Sequence, residues 1–362
     1  MLDKIILFPY WLFLKIRNWV YDKGIKAVKE APMPTICLGN VTVGGTGKTP
    51  HTEMILSILG DTFTWGGRVL GVLSRGYKRR TRGFRTVTAG GSALQFGDEP
   101  VQIKNKFPEA YVAVDADRVE GCEIMSHISG FQKAAELVIL DDAFQYRKLK
   151  ATMNIVLVDW DRPVFQDRLL PLGGLRDLPE RVGEADIIIM TKCPRELDDW
   201  EKTSRARKVG IFDYSTSACE GTGIKGRRQF LFFTTINYCP LKAVFGAADN
   251  RYIYSKQAVV FSGIARDGQL LRRLSDTYNI VGNFRFRDHH RFRTDDFERI
   301  MQVVLRHPTA AVITTEKDAQ RVLDCRRVPD ALKERMFLVP IKVEFIEPEQ
   351  KNIFTQIISA IQ

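Results

Sequence analysis

Short apolar runs recur along the first two thirds of the chain, and segments that fit helices separate them. Runs rich in β-branched residues predict strands, and here they cover residues 35–41, 69–73, 111–114, 137–140, 154–158 and 186–190. The segments 50–59 and 118–127 lie between such runs and are compatible with helices. Strands that alternate with helices are typical of a parallel sheet covered on both faces. We therefore predict an α/β fold with a doubly wound, mainly parallel sheet.

A second, smaller α/β domain is predicted to follow a change in composition at residues 215–228, which we interpret as a linker. Beyond it, helix-compatible stretches separate further strand-like runs at residues 230–236, 258–261, 280–286 and 310–314. We expect three parts: an N-terminal helix in residues 1–30, a large domain in residues 31–222 and the smaller domain in residues 223–362.

The opening apolar run, residues 5–14, is too short to cross a bilayer alone, because a spanning helix needs about 20 residues. No small-residue cleavage site follows it, which indicates that the segment is retained. We expect a helix with Pro9 in its first turn. Such a helix carries a narrow polar face around Asn18 opposite an apolar face around Ile16.

Aromatic and basic residues in this N-terminal segment favour a membrane boundary. Tryptophan and tyrosine rings sit at the level of lipid headgroups, and lysine and arginine are attracted to anionic lipid. The rings here are Tyr10, Trp11, Trp19 and Tyr21. Two interpretations remain open: a helix that lies in one leaflet of a membrane, and a helix packed on the protein's own core.

Composition excludes some classes of protein and leaves others open. The 44% hydrophobic and 27% charged residues exclude a disordered or fibrous chain. The formal charge of +11 suggests an anionic partner such as a phosphate compound, nucleic acid or a membrane face. The six cysteines form no CxxC pair, so no zinc site or disulfide framework is indicated, and a reducing compartment is expected.

A glycine-rich loop between a predicted strand and a predicted helix indicates a phosphate site. The sequence TVGGTGKT resembles the P-loop pattern GxxxxGK[ST], except that Thr42 stands where the first glycine is expected. In such a loop, backbone N–H groups and the helix N-terminus surround phosphates, a lysine reaches the β and γ oxygens, and a hydroxyl ligates magnesium. The predicted nucleotide-binding residues are Gly44, Gly45, Thr46, Gly47, Lys48 and Thr49. The alternative is a glycine-rich turn with a chance lysine.

Two carboxylates follow the predicted strand at residues 137–140. The carboxyl ends of parallel strands form the edge at which ligands bind, so Asp141 and Asp142 are candidates for a magnesium site. With the glycine loop upstream, this run resembles the Walker B motif, which is the acidic second motif of P-loop proteins. Taken singly, either carboxylate could instead cap a helix or end a solvated loop.

Phosphoryl transfer to an alcohol also needs a base near the acceptor oxygen. The adjacent His289 and His290 lie in a polar, arginine-rich segment, although a solvated basic loop is the alternative. Asp98 and Glu99 are presented by the turn-like sequence GDEP.

The segment 75–85 is a basic loop that follows a predicted strand. It could bind a substrate phosphate or anionic lipid, or be merely solvated. Nucleic acid is not favoured as a partner, because Tyr77 and Phe84 alone could stack on bases and no known binding module is present.

The ordered set of motifs resembles the tetraacyldisaccharide 4'-kinase family, the lipid A kinases of Gram-negative bacteria. The resemblance covers nearly the whole chain and includes the missing first glycine of the loop. Its motifs are TVGGTGKTP (42–50), LSRGY (73–77), GDEP (97–100), VDADR (114–118), ILDDAFQ (139–145), LLPLGGLRD (169–177), RDHHRF (287–292) and TTEKDAQR (314–321).

This resemblance implies transfer of the γ-phosphoryl group of ATP to the 4'-hydroxyl of tetraacyldisaccharide 1-phosphate, which gives lipid IVA. It implies Mg²⁺ as a cofactor and a location at the cytoplasmic face of the bacterial inner membrane, where the N-terminal helix meets the membrane surface. We expect a monomer without a nucleic-acid partner.

The resemblance also assigns roles to residues. The catalytic residues implied are Lys48, Asp98 and His289. Those implied to bind the metal are Thr49, Asp141 and Asp142. Gln145 joins Asp141 and the glycine loop in binding the nucleotide. The implied substrate-binding residues are Tyr77, Glu99 and Arg118.

Two departures and three rival functions remain open. The family shows DDGxQH where this chain has DDAFQY, so Tyr146 is left out of the catalytic set, and either His289 or His290 could face the cleft. A P-loop GTPase or metallochaperone switch would need NKxD, but residues 191–194 read TKCP. A nucleic-acid-dependent ATPase and a soluble small-molecule kinase are the other rivals. Because the glycine loop and His289 lie in different predicted domains, we expect the cleft to close on substrate.

Overall fold

The computed structural model describes residues 2–63, 69–127, 133–265, 267–325 and 327–361, with the side chains of residues 2–4 and 61–63 left aside. The helices in these residues are α1 (Leu2–Asp22), α2 (Lys48–Phe63), α3 (Ala93–Phe96), α4 (Asp98–Lys106), α5 (Arg118–Met125), α6 (Asp199–Lys208), α7 (Gly268–Ser275), α8 (Thr294–Arg306), α9 (Glu316–Leu323), α10 (Asp330–Lys333) and α11 (Pro348–Ser359).

The strands in the same residues are β1 (Lys29–Glu30), β2 (Thr35–Gly39), β3 (Leu70–Ser74), β4 (Arg85–Thr86), β5 (Tyr111–Val114), β6 (Leu137–Asp141), β7 (Leu149–Lys150), β8 (Met153–Asp159), β9 (Ile187–Thr191), β10 (Ile211–Ser215), β11 (Glu220–Gly223), β12 (Arg228–Tyr238), β13 (Lys242–Ala243), β14 (Gln257–Ser262), β15 (Asn279–Arg285), β16 (Ala311–Thr315), β17 (Met336–Val339) and β18 (Ile341–Phe345).

A large, mainly parallel sheet organises the first lobe. Its strand order is β10-β11-β12-β9-β8-β2-β6-β3-β5-β4, with β18 added beside β12. The pairs from β12 through β5 are all parallel, and the antiparallel pairs lie at the two ends. β2, which leads into the glycine loop, therefore lies in the middle of the sheet.

Helices cover both faces of this sheet, so the doubly wound fold is confirmed. Leu14 of α1 and Met125 of α5 belong to the apolar core on one face. Ile55 and Leu59 of α2 belong to the core on the other face, together with Phe354 of α11. Because each face of the parallel strands is buried, the strands read as continuous apolar runs in the sequence.

A second sheet forms the small lobe, with strand order β13-β17-β16-β14-β15. Its four longer strands are parallel. Leu270 and Leu274 of α7 pack on one face, and Phe297 and Ile300 of α8 pack on the other. This agrees with the smaller α/β unit predicted from the sequence.

The boundary between the lobes differs from the expected division at residues 222 and 223. β12 pairs with β9 of the large sheet, and β18 returns antiparallel to β12. The small lobe therefore lies between β13 and β17, and α11 belongs to the large lobe. The two connections run side by side, since the Cys239 N–H donates to the Pro340 carbonyl at 2.8 Å.

The predicted linker at residues 215–228 is instead part of the sheet. β10 and β11 form an antiparallel hairpin that extends it, with Cys219 buried at the turn. A Cβ at Gly221 would lie 2.5 Å from the Phe212 carbonyl oxygen, so glycine permits the close approach of the two strands. The small residues that suggested a linker serve this hairpin.

α1 begins at Leu2 with Pro9 inside the helix, so the expectation that Pro9 lies in the first turn was wrong. One face of α1 packs on the large lobe, where Leu14 and Asn18 are buried and Arg17 pairs with Asp177 at 2.6 Å. The opposite face leaves apolar side chains exposed, among them Phe8, Phe13, Ile16 and Trp19. In the part of the chain that the structure describes, no helix combines the length and apolar character needed to cross a bilayer.

Candidate active site

The glycine loop connects β2 to α2 and needs glycine at three positions. Gly44, Gly45 and Gly47 have φ angles of 66°, 62° and 84°, a region that other residues rarely adopt. The loop is tied from within by Asn40, whose side-chain N–H donates to Thr46 Oγ1 at 2.7 Å and Thr42 Oγ1 at 3.3 Å. Thr42 therefore fills the first glycine position of the pattern with a hydroxyl that the loop uses.

His51 supports this loop from below, and sequence reasoning assigned it no role. Its Nδ1 lies 2.7 Å from the Gly47 carbonyl oxygen and its Nε2 lies 2.9 Å from Thr234 Oγ1. Burial and the nearby charge of Lys192 lower the pKa of His51 to about 4. The ring is thus neutral at physiological pH and holds the loop against β12.

The two candidate metal carboxylates lie side by side at the end of β6. Thr52 and Ser74 each donate a hydroxyl hydrogen bond to Asp141 at 3.2 Å, and Asp142 lies 3.7 Å from the Lys48 ammonium. Burial and the neighbouring carboxylates of Glu99 and Asp142 raise the pKa of Asp141 to about 7. For Asp142, the cations Lys48 and Arg176 outweigh burial and lower the pKa.

Arg176 completes this side of the site. Its guanidinium donates to Asp142 Oδ2 at 3.2 Å and to Asn40 Oδ1 at 2.5 Å, and its carbonyl accepts from Tyr10 of α1 at 2.8 Å. The N-terminal helix therefore contacts the same segment that anchors the candidate metal ligand Asp142. The motif at residues 169–177 was the sequence signal for Arg176, but it indicated no role.

These side chains fit a magnesium ion that is also held by phosphate oxygens. Asp141, Asp142 and the Thr49 hydroxyl supply hard oxygen ligands, and bound Mg²⁺ usually combines one or two carboxylates with phosphates and water. Within the described residues, no three His, Cys, Asp or Glu side chains converge so as to hold a metal by themselves. Burial and the neighbouring carboxylates together raise the pKa of Asp141, and a bound cation would balance this negative charge.

The structure brings Asp98 and His289 together from different lobes. Asp98 opens α4 directly after Gly97, whose φ of 95° favours glycine. His289 lies between β15 and α8 with a φ of 58°, held by its N–H bond to the Gly263 carbonyl at 3.1 Å. The Nδ1 atom of His289 is 3.0 Å from Asp98 Oδ2, across 191 positions of sequence.

Basic neighbours keep Asp98 ionised in a buried position. Burial raises the pKa of this carboxyl, but the hydrogen bond from His289 and the charges of Lys317 and Arg321 outweigh burial and lower the pKa to about 2. Arg321 also ties the small-lobe loop in place, since it donates to the carbonyls of Gly263 and His290 at 3.1 Å. Asp98 is therefore a fixed anion next to the imidazole.

His290 has a different environment, which decides between the two histidines. Its Nε2 lies 2.8 Å from Asp296 Oδ2, and its ring stacks on Phe286 with centroids 4.5 Å apart. His290 therefore packs within the small lobe, and His289 is the histidine that faces Asp98.

The chain matches a known protein family over almost its whole length. The family model for LpxK, tetraacyldisaccharide-1-P 4'-kinase, matches residues 4–362. The chain belongs to this family. The tetraacyldisaccharide 4'-kinase of Bacteroides fragilis strain YCH46 is 35% identical over 97% of this chain and 91% of its own length. The protein of the same name from Flavobacterium johnsoniae is 33% identical over 95% of this chain and 94% of its own length.

The fold also agrees with a solved structure of the family. A crystal structure of LpxK from Aquifex aeolicus, described as the "apo" form in complex with ATP, superposes with a TM-score of 0.70 and 25% identity and covers 100% of both chains. The family resemblance inferred from the motifs is thus confirmed, and the alternative of a GTPase or metallochaperone switch is not favoured.

The other residues that the family resemblance assigns to the site differ in how exposed they are. Tyr77 is 55% exposed, with its ring centroid 4.8 Å from that of His289. Both line a cavity of about 290 Å³ that also reaches Asp98. Glu99 accepts a hydrogen bond from Lys317 at 2.9 Å.

Arg118 and Gln145 belong to the loops around the candidate metal carboxylates, Asp141 and Asp142. Arg118 is buried, donates to the Asp115 carbonyl at 2.6 Å and lies over the ring of Tyr146, so it does not line the 290 Å³ cavity. Gln145 donates to the Asn40 carbonyl. Tyr146 donates to Asp117 Oδ1 at 2.7 Å, which ties it to the start of α5.

Proposed function

We propose that this protein transfers the γ-phosphoryl group of ATP to the 4'-hydroxyl of tetraacyldisaccharide 1-phosphate and so produces lipid IVA. The observation that carries the proposal is the Asp98–His289 contact in a member of the kinase family. A Cβ on Gly44 would lie 3.6 Å from Ala265, and His289 is held by nearby Gly263. The donor and acceptor sides therefore adjoin.

On the donor side, the glycine loop would hold the triphosphate. Its backbone N–H groups and the N-terminus of α2 favour negative charge, and Lys48 would contact the β and γ phosphate oxygens. Arg176 donates hydrogen bonds to Asp142, and Asp142 lies 3.7 Å from the Lys48 ammonium, so these contacts would position Lys48 at this end of the cleft.

Magnesium would be held by Asp141, Asp142 and Thr49 together with phosphate oxygens. When bound, the ion supplies positive charge that stabilises the phosphates during transfer. Thr52 and Ser74 keep Asp141 in place by donating to both of its oxygens.

On the acceptor side, His289 would act as the general base. Asp98 accepts the Nδ1 hydrogen, so the basic lone pair is on Nε2. The hydroxyl proton passes to Nε2 while the oxygen attacks the γ phosphorus. Tyr77 lies at the edge of the same cavity and offers a ring face to the sugar.

We further propose that the protein works as a monomer at the cytoplasmic face of the inner membrane. The outward face of α1 exposes Phe13 and Trp19 by 58% and 53%, which is unusual for side chains of this size on a water-facing helix. Lys23 and Lys26 follow the helix and would meet anionic headgroups. A substrate with four acyl chains stays in the bilayer, so the enzyme has to come to it.

A direct test measures ATP consumption and lipid phosphorylation with tetraacyldisaccharide 1-phosphate in detergent. Lys48→Ala, Asp98→Ala and His289→Ala should each lower kcat by about 10²-fold or more. His290→Ala is the matched control and should keep turnover. A soluble disaccharide phosphate in place of the lipid tests the small-molecule kinase alternative.

The outcomes test the proposed function and the residue roles separately. If folded wild-type protein phosphorylates no glycolipid, the proposed function is wrong. If His289→Ala keeps full turnover while His290→Ala is inactive, the base assignment is wrong but the function stands.

A further inference from the structure

Lys317 occupies a position that the proposed reaction leaves without a role. It lies in the first turn of α9 in the small lobe. Its ammonium donates to Glu99 Oε1 of the large lobe at 2.9 Å and lies 3.2 Å from the Nε2 atom of His289. One cation thus joins α4 to the imidazole that faces the cleft.

The two nitrogens of His289 have partners of opposite charge. Nδ1 faces the Asp98 carboxylate at 3.0 Å, and Nε2 faces the Lys317 ammonium at 3.2 Å. The Asp288 carboxylate lies farther from Nε2, at 3.8 Å, which is beyond hydrogen-bond distance. An ammonium group only donates hydrogen bonds, and a carboxylate only accepts them. Both contacts are hydrogen bonds in one state of the ring alone, the neutral form with its proton on Nδ1. That form is the one that can accept a proton at Nε2.

Lys317 keeps its charge in this environment. Burial lowers the pKa of its ammonium, but the carboxylates of Glu99, Asp98 and Asp288 outweigh burial and raise it. Arg321 of the same helix contacts Asp98 at 3.4 Å and adds a second cation to the cluster. Lys317 is therefore a charged hydrogen-bond donor at physiological pH.

We infer that Lys317 is a positioning residue. It bridges Glu99 and His289 where α4 meets α9. This bridge holds the imidazole of His289 in the neutral form whose Nε2 atom, facing the cleft, can accept a proton. This inference rests on the proposed function. In the reaction, the acceptor hydroxyl takes the place of the Lys317 ammonium at Nε2, while Lys317 stays bound to Glu99. The hydroxyl proton goes to Nε2, the new O–P bond forms, and the bond from the γ phosphorus to the bridging oxygen breaks to leave ADP.

Nitrogen NMR of the full chain with ¹⁵N-labelled histidine reads the ring state directly. The chain has five histidines, and a His289→Gln variant identifies the signals of His289. Wild-type protein at neutral pH should show one Nδ1–H tautomer for His289. Lys317→Met, which removes the ammonium group but keeps an unbranched side chain only one atom shorter, should show exchange between tautomers or a protonated ring.

Kinetics and matched variants complete the test. Lys317→Met should lower kcat by about tenfold or more while KM for ATP stays nearly unchanged, since Lys317 contacts no part of the glycine loop. Lys317→Arg keeps a cationic donor and should restore the tautomer and part of kcat. Lys106→Met is the control. Lys106 pairs with Glu316 across the same α4–α9 contact and with Glu53 of α2, but not with His289, so the His289 signals should not change.

Wild-type His289 signals in Lys317→Met would overturn the inference, and so would a kcat within about twofold of wild type. If Lys317→Met does not fold, Glu99→Gln weakens the same bridge from the large lobe, and unchanged His289 signals there would also overturn it. If no protein, wild type included, phosphorylates the glycolipid, the proposed function fails and the NMR result alone decides the role of Lys317.

Discussion

At the scale of single residues, two buried aspartates of the site differ because of their neighbours. Asp98 is surrounded by His289, Lys317 and Arg321, and its pKa falls to about 2. Asp141 is surrounded by hydroxyls and further carboxylates, and its pKa rises to about 7. Asp98 is thus an anion at neutral pH that can orient the proposed base, whereas the carboxylates around Asp141 create negative charge that a bound cation would balance.

The lowered pKa of Asp98 predicts a pH-dependent contribution to stability. The folded value lies below the ordinary 3.8, so the ionised carboxylate stabilises the fold above about pH 4, and this stabilisation is lost as pH falls towards 2. At pH 7, Asp98→Asn should lower the free energy of unfolding by about 2 kcal/mol. Denaturant melts of both proteins across this range measure the difference, which should shrink at low pH. A constant difference would contradict the assigned cause.

The raised pKa of Asp141 predicts the opposite behaviour for Asp141→Asn in the presence of a metal chelator. The folded value lies above the ordinary 3.8, so stability is greatest while the carboxyl is protonated and is lost as pH rises through about 7. Above pH 7 the variant should be more stable than wild type by up to about 4 kcal/mol, yet inactive. Thermal melts at low and high pH test this. A variant that is less stable at pH 8 would contradict it.

At the scale of the elements, α1 reverses the usual arrangement of a surface helix. Its polar Arg17 and Asn18 face the protein beside Leu14 and bond to Asp177, while Phe13, Ile16 and Trp19 face outward. The two interpretations of this segment are therefore not exclusive, since one face packs on the large lobe and the other is free for lipid.

A charge on the outer face of α1 should weaken membrane binding without unfolding the protein. The double variant Phe13→Glu/Trp19→Glu places two carboxylates in a surface that would contact anionic headgroups. We expect recovery with anionic vesicles in flotation assays to fall severalfold. Trp200→Glu is the matched control, because Trp200 is an exposed aromatic residue on α6. Equal recovery of both variants would argue against membrane contact through α1.

At the scale of the whole molecule, the lobes are joined by two adjacent connections and meet again through α4 and α9. Asn105 donates to Gln320 at 2.9 Å, and Lys106 pairs with Glu316 at 3.4 Å, so the second contact is polar. Polar contacts between lobes separate more readily than an apolar interface. The Asp98–His289 pair lies beside the α4–α9 contact, so the pair forms only while the two lobes meet there.

We therefore expect nucleotide and substrate to change the distance between the lobes. A non-hydrolysable ATP analogue should decrease the radius of gyration in small-angle scattering and slow hydrogen exchange in α4 and α9. Lys48→Ala, which weakens phosphate binding, is the control and should show neither change. Identical scattering and exchange with and without the analogue would contradict closure.

Much of the fold and half of the site were predictable because they depend on local pattern. The strand predicted at residues 111–114 matches β5, and the glycine loop and Asp141 lie where periodicity put them. Two predictions from local pattern were wrong. Pro9 lies inside α1, which packs on the large lobe, and not in its first turn, and the predicted linker at residues 215–228 pairs in a hairpin of the sheet. Arg176 lay in the motif at residues 169–177, but the sequence indicated no role for it.

The sequence by itself determined which segments become strands, where the glycine loop lies and which family the motifs resemble. Backbone preference and apolar burial act over a few neighbouring residues, so local pattern is enough for these. Only the tertiary structure decided that His289 and not His290 meets Asp98, that Lys317 contacts the same ring, and that β18 and α11 return to the large lobe. Such contacts join residues far apart in the chain, so they exist only after the two lobes have packed.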